Sequence, residues 1–188
     1  MTTTSKPESE QVVFGQTVEG LIKRAIGTTM TPRLTERLKA VGLDVTAPIA
    51  AAYLRSVWQD VLRVCAEELY PNVPIDEAYF RLGCAATEGF QKTLMGKALF
   101  AMLGVLGPTR TLGRMKTNFR SASNYLETTL TPVDETTYEL WVNETNGNPG
   151  YIRGVLYTGL VASGAKSPTV EPLRLEGRAC TYRCHWER

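Results

Sequence analysis

Apolar residues recur about every fourth position up to about residue 123 and close to every second position in much of the remainder. The chain is therefore read as helices first and strands later. Val12 to Ile26 gives mixed signals around Phe14, Val18, Leu21 and Ile22, and is read as ending in a short helix. Thr31-Pro32 is a cap followed by a first-turn proline, which predicts a helix to about Val41, stopped by Gly42. After Pro48, Tyr53, Val57, Val61, Cys65 and Leu69 form an apolar stripe, with Arg55, Asp60, Arg63 and Glu67 off it, so a longer helix runs to Tyr70-Pro71. Pro74 opens another, with Tyr79, Leu82, Ala86 and Phe90 on one side. Met95 to Leu106 is the most apolar window and reads as a buried helix. Gly107-Pro108 then starts a helix to about Phe119, with Leu112, Met115 and Phe119 facing the core and Arg110 and Arg114 nearly opposite.

Asn124–Thr131 and Thr137–Asn143 are rich in Thr, Tyr, Leu, Val and Trp and predict two strands. Asn148 and Pro149 supply a cap and a first turn for an amphipathic helix carrying Ile152, Val155, Leu156, Gly159 and Leu160, closed by Gly164. Thr169–Leu175 and Ala179–Trp186 are the last two strands, joined at Glu176-Gly177, with Pro172 suited to an edge. The order predicts an α+β fold: an N-terminal helical layer, then a four-stranded antiparallel sheet in strand-strand-helix-strand-strand order. Residues 1–10 read as a disordered tail and 11–188 as a single domain.

Composition sharpens this picture in two places. Of 188 residues, 43% are apolar, enough for a real core, and 21 Lys and Arg against 19 Asp and Glu argue against a general polyanion binder. The four cysteines do not make a disulfide framework. Cys180 and Cys184 on one strand would be about 13 Å apart, beyond the roughly 7 Å reach of a disulfide and too far to share zinc. Reduced thiols, no secretory leader and no run of about 20 apolar residues imply a cytoplasmic chain with no membrane span.

Val13-Phe14-Gly-Gln-Thr-Val-Glu-Gly-Leu21, Gly42-Leu-Asp44, Glu68-Leu-Tyr-Pro71, Arg81-Leu-Gly83, Thr93-Leu-Met-Gly96, Gly107-Pro-Thr-Arg110, Asn118-Phe-Arg120 and Tyr182-Arg-Cys-His-Trp186 occur in this order. Their succession resembles a myxobacterial paralogous family of unknown function, over nearly the whole chain after residue 11. That family is distantly similar to a group containing the 4-vinyl reductase ligand-binding domain, haem-based nitric oxide sensors and Bet3-like trafficking subunits. The resemblance implies helices followed by a helix-interrupted antiparallel sheet, and a habit of enclosing apolar ligands or partners. It implies no shared chemistry.

No cofactor or metal is expected. The only histidine, His185, alternates to the opposite strand face from Cys184 and Trp186, and the propionate-binding Tyr-x-Ser-x-Arg motif of the nitric oxide sensors is missing. The cysteine cluster of the 4-vinyl reductase type is not reproduced either. No phosphate loop, nucleophile elbow or usable Cys/His dyad is present, so the chain is read as a non-enzyme. No nucleic-acid motif accompanies its charges.

Between Glu88 and Glu127 there is no acidic residue, yet Lys92, Lys97, Arg110, Arg114, Lys116 and Arg120 fall there. Two readings stand. The cations cap helix carbonyls or pair with acids such as Asp134 and Glu135, or they meet an acidic headgroup or partner. The candidate ligand-binding set is Met95, Phe100, Met102, Leu103 and Met115 around an apolar cavity, with Leu112 nearby and Arg110, Arg114 and Arg120 for an acidic headgroup. The expected function is a sensory or binding domain for a small apolar or amphipathic ligand. The alternative is an adaptor or self-associating protein, a homodimer included, acting through a surface.

Overall fold

The structure, a computed structural model, describes residues 6–188. Strand β1 (Val12–Phe14) leads directly into α1 (Gly15–Glu19), which widens into a π-helical turn over Gly20–Ala25. In α2 (Pro32–Ala40) the Thr31 hydroxyl accepts from the Leu34 amide at 3.1 Å, the expected cap. Strand β2 (Ala52–Leu54) pairs antiparallel with β1 and runs straight into α3 (Arg55–Leu69). Next come α4 (Ile75–Gln91), α5 (Leu94–Gly113) and α6 (Met115–Ala122). Strands β3 (Thr128–Pro132) and β4 (Thr137–Val142), helix α7 (Pro149–Ala162), and strands β5 (Lys166–Glu176) and β6 (Ala179–Glu187) complete the chain. The α+β order read from the sequence is the observed one.

The large sheet is antiparallel throughout, in the order β3-β4-β6-β5. Pro172 lies on the edge strand β5, next to a register shift, where its missing amide costs no central ladder bond. Cys180, Tyr182, Cys184 and Trp186 share the buried face of β6, opposite Val142, Leu140 and Tyr138 of β4. Tyr138 stacks on Trp186 with ring centres 5.6 Å apart. Helix α7 covers this face: Tyr182 donates its hydroxyl to the Pro149 carbonyl at 3.1 Å, and Arg153 donates to the Val170 carbonyl at 3.0 Å.

Helices α4 and α7 touch backbone to backbone. A Cβ on Gly83 would collide with the Tyr151 carbonyl, one on Gly154 with the Phe80 carbonyl, and one on Gly150 with the Asp76 carbonyl. The three glycines therefore set how closely the helical layer meets the sheet layer.

Four expectations need correcting. The Met95–Leu106 window is buried on one side only: Phe100 and Leu103 are inside, while Met95 and Val105 face solvent, as does Leu94 just before them. Apolar character all round a helix does not reveal whether a second element covers its far side. Tyr53 belongs to β2 rather than to the helix after it. The segment 124–127 is not strand, because the Asn124 side chain bonds the Val12 amide and the Glu10 carbonyl (both 2.9 Å) and holds the chain against β1. The helix begun at Pro108 does not run unbroken to Phe119: Arg114 interrupts it and α6 starts at Met115. Of the tail read over residues 1–10, residues 1–5 lie outside those described. Glu8–Glu10 form a 3-10 turn, and Glu8 pairs with Arg178 and with Arg55, the latter at 3.3 Å.

All four cysteines are free, and burial pushes the Cys65 and Cys184 thiols up to about 12. Thiol labelling at neutral pH should leave both unreacted in the native protein and reach all four after denaturation without reductant; rapid native labelling of either would contradict their burial. Gly83→Ala and Gly154→Ala should each cost about 1–3 kcal/mol in chemical unfolding, although alanine favours a helix by about 1 kcal/mol. Unchanged stability would show that the two helices are free to separate.

Candidate functional site

A cavity of about 110 Å³ lies between the helices and the start of the strand region. Its apolar wall comes from Leu99, Phe100 and Leu103 of α5, Met115 and Phe119 of α6, Phe90 of α4, and Ile152 and Val155 of α7, with Val13 of β1 and Leu126 beside them. Gly159 leaves part of α7 without a side chain against Met115, and so helps to make the space.

Polar residues interrupt this wall: Thr17, Thr87, Asn118, Ser121 and Ser123 line the cavity too. Trp58, Asn146 and Tyr151 all line the cavity and are 1%, 2% and 5% exposed. The Trp58 and Tyr151 rings meet edge to face, 6.3 Å between centres. Tyr125 donates its hydroxyl to Asn146 Oδ1 at 2.6 Å. Among the described residues, the buried side-chain atoms left without a hydrogen bond are Arg55 Nε and Thr111 Oγ1. The Trp58 indole N–H, the Tyr151 hydroxyl and the Asn146 side-chain NH₂ are donors carried by residues of the lining, and they suit a guest that brings an acceptor. Burial holds the Tyr151 hydroxyl well above its usual range. Burial does the same for Tyr125, with the nearby Glu144 carboxylate adding to it. Both stay neutral at physiological pH.

A buried ion pair fixes this corner. Arg55 at the start of α3 bonds Glu144 through Nη1, and both are under 7% exposed. Glu144 Oε1 also accepts from the Asn146 amide (2.9 Å) and from Gln59 (3.3 Å). Asn146 can then take φ of 56°, which asparagine tolerates better than most residues. The network joins α3 to the loop before α7 and extends to Arg178, whose Nε lies 3.5 Å from Glu144 Oε2.

The candidate residues from the sequence divide. Phe100, Leu103 and Met115 line the cavity; Met95 and Met102 do not, and Leu112 is buried elsewhere in the core. None of Arg110, Arg114 and Arg120 lines it either, and all three are exposed. Arg120 and Lys116 pair instead with Glu127. Trp58, Asn146 and Tyr151 were missed as ligand contacts. Trp58 has the spacing of a core residue and Asn146 that of a turn, and nothing local shows that they converge.

The chain matches the family described as "Protein of unknown function (DUF2378)" over residues 11–187. It belongs to that family. No curated protein sequence matches. Among solved structures the fold is that of H-NOX domains. An oxygen-binding H-NOX domain related to soluble guanylate cyclases, in its oxygen complex, superposes with a TM-score of 0.69 at 13% identity, over 93% of this chain and 95% of that one. The Fe(II) unliganded H-NOX protein from K. algicida gives 0.66 at 9% identity, over 93% and 97%. A variant of the T. tengcongensis H-NOX gives 0.59 at 14% identity, over 93% and 97%.

Another of these structures concerns heme distortion in the H-NOX family, and haem does not fit the cavity described above. Neither His nor Cys lines it, and His185 is exposed on β6 with Nδ1 3.0 Å from Thr137 Oγ1. Tyr125 and Tyr151 are held neutral, against the ionised state that iron ligation calls for, and Met115 has no histidine to share an iron with. The volume is well below the roughly 300 Å³ at which drug-sized ligands begin to be enclosed.

Replacing Arg55 by Met should destabilise the domain by about 3–5 kcal/mol, because it strands the buried Glu144 carboxylate. The paired change Arg55→Met with Glu144→Met should cost less than Arg55→Met alone. A double-mutant cycle in denaturant checks this, and additive losses would contradict the buried pair.

Proposed function

We propose that this domain is a non-enzymatic binding or sensory module whose guest is one small, neutral, mainly apolar molecule carrying a hydrogen-bond acceptor. The observation that supports it is the cavity itself: mainly apolar walls, with the donor-bearing side chains of Trp58, Asn146 and Tyr151 in the lining. Size limits the guest. An engineered apolar cavity of about 150 Å³ takes up benzene, so a space near 110 Å³ suits a single small ring or a short chain. No Lys or Arg lines the cavity, so the acidic headgroup considered from the sequence has no counter-charge inside it. A ketone, ester, ether or alcohol oxygen suits the neutral donors of the lining better.

In this reading the domain works in the cytoplasm without cofactor or nucleic acid. The distant likeness to the 4-vinyl reductase and Bet3-like groups belongs to the same proposal. The adaptor alternative draws on a different feature, the exposed side of α5.

Thermal unfolding with ring-sized probes tests the reading. Cyclopentanone should raise the melting temperature more than cyclopentane at equal free concentration, since a ligand at 100 times its Kd stabilises by about 2.7 kcal/mol. Tyr151→Phe should shrink the ketone response and spare the hydrocarbon response. Gly159→Leu, which fills the cavity and removes a mid-helix glycine, should keep the fold and abolish both responses. Equal responses to the two probes, or a Gly159→Leu protein that still responds, would contradict it.

A further inference from the structure

We propose that the outer face of α5 docks on an anionic membrane surface, lying on the bilayer rather than crossing it. This rests on a different part of the molecule from the cavity. Leu94, Ala98, Ala101 and Val105 are spaced four, three and four residues apart, so they form one stripe along the helix. The stripe faces outward: Leu94 is 90% and Val105 85% exposed, with Ala98 and Ala101 exposed between them. Helical rise puts its two ends about 16 Å apart. Met95, 49% exposed, flanks one end, and Val161 of α7 extends the other, where Gly104 approaches the Ala162 carbonyl. A soluble surface seldom leaves so apolar a strip uncovered without a use for it.

Charge identifies the occupant. Lys92 and Lys97 border the stripe, and Arg110 and Arg114 continue beyond the break at Gly107, where φ is 77°. All four are exposed, and none forms an ion pair among the described residues, whereas Lys116 and Arg120 are both paired with Glu127. Glu88, the one acid among the described residues lining the shallow groove it shares with Lys92 and Lys97, forms an ion pair with neither. A second copy placed face to face would set these cations against their own kind. A protein partner is usually met by aromatic anchors and directional hydrogen bonds, and the stripe offers neither. Short apolar side chains bordered by cations of one sign match a fluid anionic leaflet, which supplies acyl chains for the first and headgroup charge for the second.

The full chain should co-sediment with vesicles of phosphatidylcholine mixed with phosphatidylserine, and not with phosphatidylcholine alone. Each cation near such a surface contributes about fivefold in affinity. Lys92→Gln with Lys97→Gln should therefore weaken binding about 25-fold, and added salt should weaken it further. Leu94→Ser with Val105→Ser should abolish binding while leaving the melting temperature unchanged, since both side chains are already in water. Arg33→Gln, on the exposed side of α2, is the control and should bind as the parent does. The proposal is overturned by absence of binding to the mixed vesicles, or by binding that the lysine variants leave unaltered. A dimer that Leu94→Ser dissociates, in a protein that ignores vesicles, would overturn it in favour of self-association.

Discussion

The close contact of α4 with α7 is the constraint on which the rest of this protein depends. Gly83, Gly150 and Gly154 let two helix backbones meet where any side chain would push them apart. One of these helices belongs to the helical layer, and the other covers the sheet. Their separation therefore sets the spacing of the two halves, and with it the cavity, which takes Ala86 and Phe90 from α4 and Tyr151, Ile152 and Val155 from α7. A wider crossing would move these walls apart, and interiors close-packed like crystals have little slack to absorb it.

Within that frame, a buried ion pair braces the corner of the cavity that holds Asn146. The Arg55–Glu144 pair is costly to bury, and its hydrogen bonds to Asn146 and Gln59 recover part of the desolvation cost. It holds the Asn146 backbone in a left-handed turn and so presents the side chain beside Tyr125 and Tyr151. A fold shared with H-NOX domains thus surrounds a small cavity whose lining holds neither histidine nor cysteine. A likeness of fold brings no chemistry with it.

Much of the fold was legible because its signals are local. Thr31-Pro32 and Asn148-Pro149 announce helix starts through atoms only two or three residues away, and the alternation from Cys180 to Trp186 states which strand face is buried. The site was less legible because it is assembled from remote parts. Trp58, Asn146 and Tyr151 come from α3, a loop and α7, and their periodicity alone reads as core or turn. Phe100, Leu103 and Met115 were within reach, as apolar residues flanking a glycine-broken segment. The outer face of α5 was misread for a related reason: its pattern shows apolar residues on every side, and burial of any one side depends on which elements pack there.

Native mass spectrometry of the purified protein, with organic extraction after denaturation, shows directly whether the cavity takes a neutral small molecule with an acceptor. A stoichiometric adduct is expected, whose extract contains a small oxygen-bearing, uncharged compound, lost from the Gly159→Leu protein. A stoichiometric haem, or an anionic ligand retained in the Gly159→Leu protein, would contradict it.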